Sequence, residues 1–129
     1  MIAIDTNVVV RFLANDHPDQ SQRARQVMLG GDIFLPISVC LETEWVLRSV
    51  YQAGREQIAQ KLTELSGMQG VTVEDPDVLA LAIGWFRQGM DFADALHLAC
   101  AGDCEAMVSF DARFAAAAQR LGTLAVRLP

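Results

Sequence analysis

Four acidic side chains, Asp5, Glu42, Asp94 and Asp111, stand where a chain can use a charge for chemistry rather than for solubility. Asp5 closes the apolar run Met1-Ile2-Ala3-Ile4, in which Ile2 and Ile4 have the β-branched character of a buried strand. The Asp5-Thr6-Asn7 triplet that follows can bind a cation or cap a helix. Asp111 ends Met107-Val108-Ser109-Phe110 in the same manner and precedes a helical stretch. Glu42 falls at helical spacing among Val39, Val46 and Val50, so its carboxylate needs a partner or a cation, because burying an unpaired charge is very costly. Glu44 lies about 200° further round that helix and reads as a surface partner of Arg48 at i,i+4. Asp94 sits three residues after the cap residue Asp91, in the first turn of an apolar helix. There it either complements the helix dipole or faces a packed surface. His97, one turn on, reads as a core or supporting imidazole, since an isolated Asp-x-x-His lacks the further histidines of a zinc site. Each acid alone can be explained as a cap. Four acids recurring where strands end or a buried helix begins form a pattern that capping does not explain.

The elements that must position these acids alternate. Strands are expected at 1–5, 33–37, 71–73, 106–110 and 124–128, and helices at about 7–15, 20–29, 38–52, 55–65, 76–88, 92–102 and 112–121. Pro18, Gly30-Gly31, Gly54, Asp75-Pro76 and Gly89 punctuate them, with Ser38 expected to cap the third helix. Strands joined through helices imply parallel pairing with right-handed crossovers, hence an α/β fold, a three-layer α/β/α sandwich. Ligand sites in such sheets lie at the carboxyl ends of the strands, where the winding reverses. With the first strand central, Asp5 and Asp111 become neighbours at that point.

Length and composition fit one compact globular domain with a core of its own. The 129 residues, 52% of them apolar, suit a single domain over 1–129. The longest uncharged apolar stretch, Val78 to Phe86, is too short to span a bilayer, and no basic region precedes a hydrophobic segment at the N-terminus. A cytoplasmic location is the expectation. Cys40, Cys100 and Cys104 contain no Cys-x-x-Cys pair and read as buried free thiols. A net charge of −6 repels a phosphate backbone unless cations offset it, which argues against a plain nucleic-acid-binding module. It does not argue against acids that hold metal ions, because a divalent ion inverts the local charge.

Ile4-Asp5-Thr6-Asn7, Leu41-Glu42-Thr43-Glu44-Trp45-Val46-Leu47-Arg48, Asp91-Phe92-Ala93-Asp94-Ala95-Leu96 and Ser109-Phe110-Asp111-Ala112-Arg113-Phe114 together resemble the PIN-domain nucleases, most closely the VapC-type toxins of toxin-antitoxin pairs. The likeness runs over essentially the whole chain, with the motifs in order and in register. It implies a five-stranded parallel sheet of order 3-2-1-4-5 and a catalytic, metal-holding quartet at Asp5, Glu42, Asp94 and Asp111. Thr6, Asn7 and Ser109 correspond to supporting polar groups. Carboxylates are hard ligands suited to Mg²⁺ or Mn²⁺, which can lower the pKa of a bound water and set it in line with a scissile phosphate. The implied activity is endoribonuclease cleavage of RNA leaving a 5′-phosphate and a 3′-hydroxyl, with Arg11, Arg48, Arg87 and Arg113 as candidates for steering the backbone. The implied partners are a cognate antitoxin protein and a second copy in a homodimer, with Val9, Phe12, Leu13 and Trp45 as candidate contacts.

A receiver-like signalling module is the rival of another class, since it too is a parallel α/β unit with an Mg²⁺-holding acidic pocket. It requires an acidic pair after the first strand and a lysine after the fifth, whereas this chain has a single Asp at the first place and its only lysine is Lys61, in a helix. A haloacid-dehalogenase-type phosphatase requires Asp-x-Asp, and Asn7 stands in the second place.

Overall fold

Seven helices and five short strands alternate along the computed structural model, which describes residues 1–129. They fall into two compact units, Met1–Pro76 and Asp77–Pro129. In the first unit, β1 (Ile2–Ala3) leads into α1 (Thr6–Ala14) and α2 (Pro18–Leu29), then β2 (Ile33–Leu35), α3 (Ile37–Ser49), α4 (Arg55–Ser66) and β3 (Val71–Val73). The three strands pair in parallel in the order β1-β2-β3, with Ile2 opposite Ile33 and Ile33 opposite Val71. The helix starts follow local chemistry. Asp5, in extended conformation, accepts from the Thr6 N–H to open α1, and His17 does the same for α2 through Nδ1 and the Gln20 N–H, with Pro18 setting φ at the first helical position. Asn15 closes α1 in the left-handed conformation at φ 51°. The core beneath these helices holds Val9, Met28, Ile33, Leu35, Leu47, Ile58 and Leu62, each nearly or wholly removed from water.

Glycine is required where β3 begins. Gly70 has φ +85°, a Cβ there would stand 2.9 Å from the Gly31 Cα, and its carbonyl accepts from the Ile33 N–H at 2.7 Å. The backbones ahead of β2 and β3 can approach that closely only without a side chain between them.

In the second unit α5 (Pro76–Arg87, the proline at the boundary), α6 (Phe92–Cys100), β4 (Met107–Val108), α7 (Ala112–Leu121) and β5 (Val126–Arg127) follow in turn, and β4 pairs with β5 in parallel. Phe86 and Phe92 meet edge to face, with centroids 5.4 Å apart at 81°, and the buried residues of α5 and α6 also include Leu79, Ala82, Leu96 and Leu98.

The alternating α/β architecture with parallel strands is therefore as expected, but the strands are hydrogen-bonded as a three-stranded and a two-stranded sheet, not as one continuous sheet of order 3-2-1-4-5. The reason lies in strand length. The Ile2 and Ile4 N–H groups donate towards β2, to Asp32 and Phe34, and those of Met107 and Ser109 donate towards β5, to Ala125 and Arg127. β1 and β4 are each only two residues long, too short to carry a second ladder before Asp5 and Asp111 turn the chain into helices. Ile2, expected to be buried, is correspondingly 62% exposed. Two further expectations fail for local reasons. Pro36 rather than Ser38 precedes the third helix, because its fixed φ of −65° at an extended ψ already turns the strand end into the helix without a side-chain cap. Of the three thiols only Cys40 is buried, since Cys100 lies at the open end of α6 and Cys104 in the turn after it.

Candidate active site

Asp5 and Glu42 reach one cleft by different routes. Asp5 lies at the start of α1, where its Oδ1 accepts from the Thr6 N–H at 2.7 Å. Glu42 projects from α3, where its Oε1 accepts from the Thr6 hydroxyl at 3.2 Å. Thr6, only 8% exposed, thus ties both carboxylates, one through its backbone and one through its side chain. The cleft has a volume of about 380 Å³ and its polar lining is Asp5, Thr6, Asn7, Arg11, Glu42 and Tyr51. Asp5, Asn7 and Glu42 are all exposed to it, which leaves carboxylate oxygens free to bind an ion.

The facing argument for Glu42 needs correction. The buried stripe of α3 runs through Val39, Cys40, Thr43, Glu44 and Leu47, and Val50 is 58% exposed, so Glu42 flanks the packed face instead of interrupting it. Glu44 is the buried acid, at 2% exposure, and its pairing with Arg48 is as expected, with Nε 2.8 Å from Oε2. Only the Glu44 end of the pair is buried, Arg48 being half-exposed at the side chain, because Glu44 follows Thr43 on the stripe that packs inward.

In the second unit Asp91 caps α6, accepting from the Asp94 N–H at 3.2 Å. Asp94, half-buried one turn into the helix, has its carboxyl held above the usual range by burial first and by the Asp91 and Asp111 carboxylates next, with His97 offsetting part of the effect. Asp111 caps α7 through Oδ1, which accepts from the N–H groups of Arg113 and Phe114, while the Ser109 hydroxyl accepts from the Asp111 N–H at 3.0 Å. Asp94 and Asp111 are thus electrostatic neighbours within this unit, each on a helix start. His97 is exposed and not a core imidazole, because it lies on the solvent side of a helix whose packed positions are Phe92, Ala95, Leu96, Leu98 and Ala99.

No group of three or more His, Cys, Asp or Glu side chains closes into a preformed metal cage. The donors present nevertheless fit a hard divalent cation. They are carboxylate oxygens, accessible at Asp5 and Glu42, and Mg²⁺ takes one or two acids while keeping several waters. A cation would also relieve the like-charge repulsion that Asp94 feels from Asp91 and Asp111.

The sequence points to all four acids but not to Tyr51, which also lines the cleft. Tyr51 follows the C-cap of α3, outside any helical spacing with Glu42, so no periodicity pointed to it. Arg11 was traceable, since it stands four residues after Asn7 and shares its face of α1. Val9, a candidate partner contact, is wholly buried because it lies on the packed face of α1, whereas Trp45 is 56% exposed.

Comparison with curated proteins finds no match. The PIN domain family model, whose members are typically metal-dependent nucleases, matches residues 2–120, a span that holds all four acids. The match spans far more than half of the sequence, and the chain belongs to the PIN domain family.

Proposed function

We propose that residues 1–129 act as a single PIN-like nuclease domain, a metal-dependent endoribonuclease that is the toxin of a VapC-like toxin-antitoxin pair. The observation that carries this reading is the Thr6 tie between the carboxylates of Asp5 and Glu42 at the mouth of a cleft in a PIN-family chain. Asp5, Glu42, Asp94 and Asp111 would hold Mg²⁺ or Mn²⁺, which when bound supplies an activated water and charge stabilisation for phosphodiester hydrolysis. The chain's own residues do the positioning. The Thr6 hydroxyl fixes the direction of the Glu42 carboxylate, and the Thr6 N–H holds one oxygen of Asp5 so that the other stays available. Ser109 fixes the backbone of Asp111, and Asn7 offers an amide at the cleft wall. A cognate antitoxin and a second copy of the chain are the partners of this reading, with exposed Trp45 as a contact, in the cytoplasm. No helix is long and apolar enough to cross a membrane. Nothing favours a receiver-like module, whose lysine would have to be Lys61, and that side chain donates to the Leu13 carbonyl at 3.3 Å.

The test is cleavage of labelled RNA by purified protein in Mg²⁺, in Mn²⁺ and in chelator, with the ends mapped. Cleavage that chelator abolishes and that leaves 5′-phosphates supports the reading; cleavage that persists in chelator, or none in either metal, refutes it.

A further inference from the structure

The cleft shares part of its lining with a neighbouring groove. Asn7 and Arg11, on one face of α1, line the cleft and also a second groove of about 510 Å³ between α1 and α2, whose other polar residues are Gln20 and Arg23. Arg11 is held in place between the two. Its Nε donates to Gln20 Oε1 at 2.7 Å, its Nη1 donates to the Tyr51 hydroxyl at 3.2 Å, and Asp16 Oδ1 lies 3.6 Å from Nη1. Its Nη2 makes no hydrogen bond. A guanidinium fixed through one edge, with the N–H groups of the remaining nitrogen free, is suited to phosphate, which takes such donors with charge assistance. Arg48 cannot serve in this way, because its guanidinium is committed to the buried Glu44.

We infer that the groove between α1 and α2 is the track for the RNA backbone flanking the scissile bond, with Arg11 gripping one phosphate and Arg23 the next. This rests on the ribonuclease reading above and adds a direction to it: the strand leaves the acids along α1, over Asn7. RNA is the occupant that the charges favour. The chain carries −6 overall, so a backbone phosphate near Asp5 and Glu42 needs local cations, and the groove sets two arginines on that path. Arg23 is accessible, being 75% exposed at the side chain and engaged only by Asp19 at 3.7 Å, and a phosphate competes readily for such a surface pair. Asn7 and Gln20, which line the same groove, add amide donors.

The experiment measures anisotropy of a fluorescein-labelled single-stranded RNA in Mg²⁺ across a salt series, in an Asp5→Asn background that slows cleavage, together with KM and kcat in the otherwise unaltered protein. Arg11→Gln is expected to weaken binding about tenfold, as the loss of one charge-assisted contact does. It should also flatten the slope of log affinity against log salt by about 0.7. Arg11→Lys should recover the slope but only part of the affinity, and in cleavage KM should rise more than kcat falls. Arg23→Gln, which removes only a surface ion pair from the fold, should act in the same direction at unchanged Tm. Unchanged affinity and slope in both Gln variants, with the unaltered protein cutting RNA, sinks the groove and leaves the nuclease standing. Variant effects on binding in a protein that never cuts RNA uphold the groove and sink the nuclease. A protein that neither binds nor cuts sinks both. Affinity that falls only in step with Tm, or loss of a protein partner while RNA binding persists, overturns the assignment.

Discussion

At the scale of single residues, the same helix-start positions serve stability and chemistry, and Asp94 shows the conflict between them most clearly. Its carboxyl is pushed upward by burial and by two neighbouring acids. A raised folded-state pKa means that the folded protein holds the proton longer than the unfolded chain does. Stability is therefore present in full below the unfolded value of 3.8 and is lost as pH rises through the higher folded one. At pH 7 ionised Asp94 is a liability to the fold, so Asp94→Asn should raise the Tm at pH 7 in the absence of metal and flatten the acid side of the stability profile. Melting curves from pH 3 to 7 read this directly, and a lower Tm at pH 7 would contradict it. The thiols divide as sharply. Burial pushes Cys40 up to about 12, whereas Cys100 and Cys104 are exposed. Two thiols should react rapidly with a disulfide reagent at pH 8, and the third only after denaturation.

At the scale of elements, the boundaries were legible wherever a turn residue has a single conformational use. Pro76 opens α5 at the first helical position, Gly30 closes α2, and Asp91 and Asp111 cap as their spacing to the following apolar residues required. By contrast, α2 opens at Pro18, two residues ahead of its expected start, because the fixed φ of proline suits the first helical position. What was not legible depended on tertiary pairing. A run such as Met1 to Ile4 specifies a strand but not how many of its N–H groups find partners, so the length of β1 and the division into two sheets could not be read from it. The valine spacing at 39, 46 and 50 suggests the buried stripe of α3, whereas Thr43 and Glu44, polar by type, are residues that go inside. A buried acid with an i+4 arginine looks the same in sequence as an exposed one. The close approach ahead of β2 and β3 gives an element-scale prediction. Gly70→Ala should destabilise the protein by about 2 kcal/mol or more in chemical denaturation, through both the positive φ and the contact with Gly31.

At the scale of the whole molecule, a PIN-family chain of net charge −6 carries four acids proposed to act beyond capping. Asp5 and Asp111 are readable from sequence because each terminates an apolar run, and Asp94 because it opens an apolar helix, whereas the interrupted valine face that points to Glu42 is not the packed one. The Thr6 tie and the anchoring of Arg11 are not readable there, since they join segments of the chain that only folding brings together. The acids that cap helices also make the decisive comparison clean, because Asn caps about as well as Asp and so preserves the helix start while removing the charge. That comparison is the RNA-cleavage rate in Mn²⁺ of Asp5→Asn, Glu42→Gln, Asp94→Asn and Asp111→Asn, set beside Asp91→Asn, with folding checked by Tm. The account predicts losses on the order of 100-fold or more for Asp5, Glu42 and Asp94, a loss also at Asp111, and near wild-type cleavage for the cap variant Asp91→Asn. Wild-type cleavage by folded Asp5→Asn, Glu42→Gln or Asp94→Asn protein would contradict it.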